Sequence, residues 1–309
     1  MTPTPDCLSA FIRFVQLKSL RKRSQEEYVR WVRRIAREGG VACASLLHEE
    51  QVLAFLHGLQ QNHDYKGSTL NQCVCALRMF YRDHLGRVDW KCWSQIRIKR
   101  TAPLPTVLTR GEVRVLLDSV KVARFRAVLS LMYQCGLRVG EACRIEVTHL
   151  DRARGVLRIL NGKGGKSREV PVSPEMFERL GAWWGQHRHP RYLFPGVGRA
   201  WKEKYGCQKL ALREAQAPMS ESSVQLAMKL AVADARLKKK GVCCHTLRHS
   251  YATHLLEEGV SVRQLQAYLG HSSIETTVVY LHLTEVSEGK AREALSRLYA
   301  AAIPAPRGH

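Results

Sequence analysis

Apolar residues recur every third or fourth position through most of the chain, the spacing that lines one face of a helix. Leu8 to Leu17 carries this pattern, and Tyr28, Trp31, Val32 and Ile35 form a stripe on a second helix. Val52 to Leu59 and Leu70 to Leu85 predict two more. The first hundred residues show no strand pattern and no cluster of chemically active side chains. From Arg97 to Val107 the helical period stops. RIKRTAPLPTV is basic and holds two prolines, which predicts an extended connector.

A new helix opens with strong punctuation. Thr109 and Glu112 form a capping box, with Leu108 and Val113 at the staple positions. Helices are predicted over 112–120 and 123–135. The period then shortens to two. VLRIL, NGKGGKS and REVPV read as strand, glycine-rich turn and strand, a β-hairpin. Helical spacing returns from Ser220 to Lys240, and again in CHTLRHSYATHLLEEG, which Gly259 closes. A capping box at Ser261 and Gln264 opens a further helix that ends at Gly270. Past the hairpin, RAWKEKYGCQKLALREAQAPMS (199–220) is long and basic. Val286, Ala291, Ala294, Leu295, Leu298 and Tyr299 give a last helix one apolar face, and the tail IPAPRGH should fray. The predicted architecture is an α-helical N-terminal domain (1–96), a linker (97–107), a mixed α+β but mainly α domain (108–300) and a tail (301–309). There are no internal repeats.

Composition changes this picture through charge. Lys and Arg number 49 against 27 Asp and Glu, a formal net charge of +22 and a pI near 9.9. Such a surface attracts polyanions, and nucleic acid leads. Lys18, Arg21, Lys22, Arg23, Arg30, Arg33, Arg34 and Arg37 crowd one stretch against only Glu26 and Glu27. Arg21, Lys22, Arg23, Lys99, Arg100 and Lys166 are the candidate DNA contacts. The 45% hydrophobic fraction suits an ordinary core, and no apolar run reaches membrane-spanning length. The N-terminus lacks a signal peptide's basic and apolar regions, so a cytoplasmic location is expected. The ten cysteines show no C-x-x-C pair, so they are expected to be reduced small hydrophobes.

Metal and nucleotide motifs fail on inspection. The GKS at 165–167 lacks the glycine of a phosphate-binding loop, because Leu160 stands there. His245 and His249 have the spacing of a zinc pair, but Thr246 occupies the position where the helical zinc-protease motif needs glutamate. No carboxylate cluster is available for magnesium, so no metal and no cofactor is expected.

What remains is Arg138, Lys163, His245, Arg248, His271 and Tyr280. Read blandly, Arg138 and Glu141 are an exposed helical pair worth little, and Tyr280 is a half-buried aromatic. Together the set has one natural use. Two arginines can clamp the non-bridging oxygens of a phosphodiester under attack. Histidines can donate hydrogen bonds and move protons. Lys163 can protonate a departing alkoxide, and a tyrosine nucleophile conserves the phosphodiester's energy in a covalent link.

In this order the motifs resemble those of the tyrosine recombinases of the phage-integrase superfamily, the class with Xer proteins and integron integrases. CGLRVGEA supplies the family's first arginine, Arg138, and its bracing glutamate, Glu141. NGKGGKSREVPV is similar to its hairpin, with Lys163 at the general-acid position. HTLRHSYATHLLEEG gives His245 and Arg248; LGHSSIETTVVYLH gives His271 and the nucleophile Tyr280. The resemblance implies a helical core-binding domain that clamps DNA, followed by a catalytic domain. It implies strand exchange through a 3′-phosphotyrosine in a homotetramer on paired double-stranded sites, by a protein carried on a mobile element. The last helix would then dock on a neighbouring subunit. A non-cutting DNA-binding protein of the same fold and a type IB topoisomerase-like relaxing enzyme are the rival readings. The 199–220 stretch departs from the common pattern and leaves the subtype open, and target site and accessory proteins are not specified.

Overall fold

A computed structural model describes residues 7–18, 20, 22–61, 65, 67–96, 104–160, 167–198 and 200–281. Arg21, Lys99, Arg100, Lys163 and Lys166, the hairpin turn, most of the expected linker, the last predicted helix and the tail lie outside these residues. The chain divides into two compact units, Met1–Pro103 and Leu104–His309.

Amphipathic helices build the first unit. α1 (Cys7–Leu17), α2 (Lys22–Glu38), α3 (Glu49–Gln61) and α4 (Gly67–Arg78) bury the predicted faces. On α2 the buried positions are Val29, Trp31, Val32 and Ile35, while Lys22, Arg23, Arg30, Arg33 and Arg37 stay exposed. α4 stops short of the predicted end. A π-helical turn over Met79–His84 follows it and places Phe80 and Tyr81 in the core. α5 (Cys92–Gln95) closes the unit. One expectation about the cysteines is corrected here: Cys7 and Cys43 form a disulfide, with Cα atoms 6.4 Å apart. Their 36-residue separation hid the pair, because only packing of the helices brings the two ends together. Of the free cysteines, Cys73, Cys92, Cys135, Cys143 and Cys244 are buried; burial pushes the thiols of Cys73 and Cys135 up to about 12, as an apolar site disfavours the thiolate.

In the second unit α6 (Arg110–Asp118) starts on the predicted capping box, with Leu108 and Val113 both buried. α7 (Ala123–Gln134) runs through the core to a turn at Gly136, whose φ is +59°. α8 (Val139–Cys143) follows at once. β1 (Leu150–Asp151), β2 (Val156–Ile159) and β3 (Arg168–Pro171) form an antiparallel sheet in chain order, with Ile159 opposite Arg168. β1 is too short to carry a period. α9 (Pro174–His187), absent from the sequence reading, begins on the Ser173 cap.

The basic 199–220 stretch is not a bare loop. It holds α10 (Trp201–Tyr205) and α11 (Gln208–Arg213), and Pro218 near its end pairs with Pro195, which precedes the stretch. α12 (Glu221–Asp234) ends six residues before the predicted Lys240, at a left-handed Arg236 (φ 50°) that no helix continues through. α13 (Cys244–Glu257), α14 (Val262–Leu269) and the single turn α15 (Glu275–Val278) complete the described chain. A main core runs from Leu108 to Leu247. A separate cluster joins Tyr251, Ala252, Leu256, Leu265 and Leu269 of α13 and α14 to Tyr280. Among the described residues no helix is long and apolar enough to cross a membrane.

Candidate active site

Glu141 is the centre of the site. It lies in the first turn of α8, where its carboxylate accepts from the Arg138 backbone N–H (2.9 Å) and from Arg138 Nη1 (2.8 Å). Arg168, the first residue of β3, donates Nη1 and Nη2 to the two carboxylate oxygens at 3.1 and 2.8 Å. Arg248 Nη1 lies 3.9 Å from the same carboxylate. The side chains of Glu141, Arg168 and Arg248 are 6%, 8% and 3% exposed, whereas Arg138 keeps 23%. The exposed Arg–Glu pair of the bland reading is therefore a buried network. Burial works to raise the Glu141 carboxyl, but the Arg168 hydrogen bonds and charge, with Arg138, override it and hold the group at about 2.

Arg248 reaches this centre from α13. Its Nη1 donates to the Gly136 carbonyl (2.6 Å) and its Nη2 to the Leu269 carbonyl (2.7 Å). Burial, then Arg138, lowers its guanidinium to about 10, so it stays charged at neutral pH. Nη2 also meets His271 Nε2 at 3.0 Å. A guanidinium only donates, so this ring nitrogen accepts, and Nδ1 carries the hydrogen facing Thr277 Oγ1 at 2.9 Å. His271 stands just past the left-handed Gly270 (φ 63°), as expected, but its Nε2 faces Arg248.

Tyr280 follows α15 and is 4% exposed. Its hydroxyl lies 2.9 Å from His249 Nδ1. Burial raises the phenol, while Arg248 and Arg138 pull it down. His245, Arg248 and His249 share one face of α13 by their i, i+3, i+4 spacing. His245 is exposed, with its ring 6.2 Å from that of His249. Although His245 is open to solvent on one side, protein atoms crowding the ring push it down by desolvation, and Arg248 and Arg138 add to the effect. His249 falls to about 4, through burial first and then the charges of His245 and Arg248.

The structure thus brings Arg138, Glu141, His245, Arg248, His271 and Tyr280 together, from the start of α8, from α13, and from the residues just past α14 and α15. It adds Arg168 and His249, which sequence reading does not assign. Arg168 has a weak signal, as a charged residue opening a strand. His249 carries only the spacing of a zinc ligand. Among the described residues no group of three or more His, Cys, Asp or Glu is placed to hold a metal ion. Chemically, three guanidinium groups face one carboxylate. Among the described residues, positive charge is in excess in a largely buried place, an arrangement that favours an anion.

Residues 106–286 match the phage integrase family, and residues 7–91 match the phage integrase N-terminal SAM-like domain. The chain is 32% identical over 305 residues to an integrase/recombinase of Escherichia coli, covering 89% of each. It is 31% identical over 296 residues to the tyrosine recombinase XerA of Thermococcus kodakarensis, covering 95% of this chain and 96% of the relative. In fold it is similar to a lambda integrase tetramer bound to a Holliday junction, with a TM-score of 0.70 at 17% identity, over 89% of this chain and 76% of that one. The Tn1549 transposon integrase in complex with transposon right end DNA gives a TM-score of 0.67 at 15% identity, over 95% and 99%. Matched over more than half its length by the family and along nearly all of it by relatives, the chain belongs to the phage integrase family of tyrosine-type site-specific recombinases.

Proposed function

We propose that the protein cuts and rejoins DNA through a covalent 3′-phosphotyrosine on Tyr280. The observation that carries this is the excess of guanidinium charge around Glu141, next to a buried tyrosine hydroxyl. Arg138 and Arg248 are the residues that would clamp the non-bridging oxygens of the phosphodiester, with Glu141 holding their forks in place. His271 orients Arg248 through Nε2, and His245, exposed beside it, faces incoming DNA. Lys163 is assigned as the acid that protonates the departing 5′-oxygen. Arg21, Lys22, Arg23, Lys99, Arg100 and Lys166 are assigned to the DNA backbone; of these, Lys22 and Arg23 are exposed on α2. The working form is a homotetramer on two paired sites, with residues 285–309 passed to a neighbour, and the gene is carried on a mobile element. The domain limits 1–96 and 108–300 belong to this reading as the DNA clamp and the catalytic half.

A nicked suicide site tests the assignment. Wild-type protein should be trapped covalently at the 3′ phosphate, and Tyr280→Phe should bind the site without forming the adduct. An undiminished adduct with Tyr280→Phe would overturn it. The trapping should persist in EDTA; its loss, with return on adding magnesium or zinc, would point to metal chemistry instead.

Lys163 has a separate test. Lys163→Ala should slow cleavage by about 10²–10⁴-fold on normal DNA. A 5′-bridging phosphorothioate, whose sulfur leaves without a proton, should restore most of the rate. If Lys166→Ala behaves this way and Lys163→Ala does not, the acid is the other lysine.

A further inference from the structure

We propose that His249 is a catalytic residue, the proton acceptor for the Tyr280 hydroxyl. This rests on the reading of Tyr280 as nucleophile. His249 Nδ1 lies 2.9 Å from Tyr280 Oη, within proton-transfer distance. The ring is set by α13 rather than by a loop: His249 sits one residue past Arg248, whose guanidinium is pinned to two backbone carbonyls. Tyr280 is pinned in turn by the cluster of Tyr251, Leu265 and Leu269. Both partners are therefore held by packing, and their contact crosses 31 residues of sequence.

At neutral pH the ring is uncharged, so its Nδ1 is free to act as a base rather than as a second cation. Burial, His245 and Arg248 all disfavour the imidazolium. A ring so weakly basic does not deprotonate a phenol in advance. The transfer instead accompanies attack. As Tyr280 Oη bonds to phosphorus, that oxygen loses its basicity and its proton passes to Nδ1. The P–O5′ bond breaks, and the departing oxygen takes its proton from the general acid. The charges that resist imidazolium make the protonated ring a strong acid, ready to give the proton back to the tyrosine oxygen when its bond to phosphorus breaks. In rejoining, the 5′-hydroxyl attacks phosphorus and gives its proton back to that acid's conjugate base. The Tyr280–phosphorus bond breaks, and His249 returns its proton to the tyrosine oxygen. His245, on the adjoining turn, is then left to the phosphate oxygens.

The test separates proton transfer from positioning. His249→Ala should retain site binding and slow adduct formation on the suicide site by about 10²-fold or more. His249→Asn, which offers an acceptor oxygen near the place of Nδ1 but takes up no proton, should be slowed nearly as much. Installing 3,5-difluorotyrosine at position 280, whose phenol ionises near neutral pH, should shrink the His249→Ala penalty to within about threefold. An equal penalty with tyrosine and difluorotyrosine, or wild-type rates in His249→Asn, overturns the inference, since His249 would then only place the ring. So does a rate in His249→Ala equal to wild type. A His249→Ala protein that fails to bind or melts early is replaced by His249→Asn with difluorotyrosine, which reads the same difference. If wild-type adduct forms on Tyr280 but ignores position 249, this inference alone falls. If no adduct depends on Tyr280, the proposed function falls with it.

Discussion

At the scale of single residues, Glu141 decides the most. Its carboxyl sits at about 2 in the folded protein against a usual 4.5. A depressed acid stabilises the fold at every pH above its unfolded value, and that stability is lost as pH falls from there to the folded value. The window is therefore about pH 4.5 down to 2, worth roughly 3 kcal/mol. Glu141→Gln should remove this slope from urea melts recorded across that window. It should also destabilise the protein at neutral pH by about 3–5 kcal/mol, since three guanidinium groups would lose their buried counter-charge. A Glu141→Gln protein as stable as wild type at pH 7 would contradict the network. The spacing of Arg138 and Glu141 is visible in CGLRVGEA. That the pair is buried is not, because an N-cap residue and its i+3 neighbour at the start of a short helix look alike whether wet or dry.

Elements meet at two points in this site, and each has its own prediction. Arg168 ties the hairpin to α8 through Glu141 and to α14 through the Tyr268 carbonyl, which accepts from Nε at 2.7 Å. Arg168→Ala should cost about 3 kcal/mol or more in denaturant melts and lower the rate of adduct formation. Arg168→Lys, which keeps charge but loses the fork, should fall between; Arg168→Ala melting like wild type would exclude the tie. The second point is Gly136, between α7 and α8. A Cβ there would lie 2.4 Å from the Tyr251 ring, at a φ of +59°, and the Gly136 carbonyl anchors Arg248. Gly241 offers the control: its φ is +74°, yet the nearest atom to an added Cβ is 3.8 Å away. Gly241→Ala should cost about 1 kcal/mol for the left-handed backbone alone. Gly136→Ala should cost clearly more and also slow cleavage. Equal melting shifts for the two would mean the Tyr251 ring yields freely. Helix starts and stops are readable wherever a cap is local, as at Thr109, Ser261 and Gly270. α9 and the early end of α12 escape the sequence reading, although Ser173-Pro174 is a capping signal; α12 is cut short by a left-handed residue that hydropathy does not mark.

For the molecule as a whole, charge is the governing quantity. The net +22 is not spread evenly: Lys22, Arg23, Arg30, Arg33 and Arg37 line the outer face of α2, and among the described residues only Arg30 of these five meets a carboxylate, that of Glu27. Affinity for duplex DNA should fall about 10³-fold or more between about 50 and 200 mM salt, as released counterions reverse the gain. Arg33→Ala with Arg37→Ala should lower the slope of log affinity against log salt by roughly one for each phosphate left without its arginine. An unchanged slope, measured by fluorescence anisotropy, would place the DNA on another face of this unit.

By itself the sequence determined what depends on neighbours in the chain. Helical faces, capping boxes, the hairpin, the basic stripe of α2 and the shared face of His245, Arg248 and His249 follow from spacings of four residues or fewer, or from total charge. The order of the motifs along the chain already points to the family. Tertiary structure decided which of these faces meet. It placed Arg168 on Glu141 across 27 residues and on the Tyr268 carbonyl across 100, gave Tyr280 to His249, turned His271 Nε2 to Arg248, and joined Cys7 to Cys43. A periodic pattern states that a face must be buried but not against what. The partner is chosen by the packing of a whole core, where many weak contacts are satisfied at once, so a polar contact formed across that core leaves no local trace in the chain.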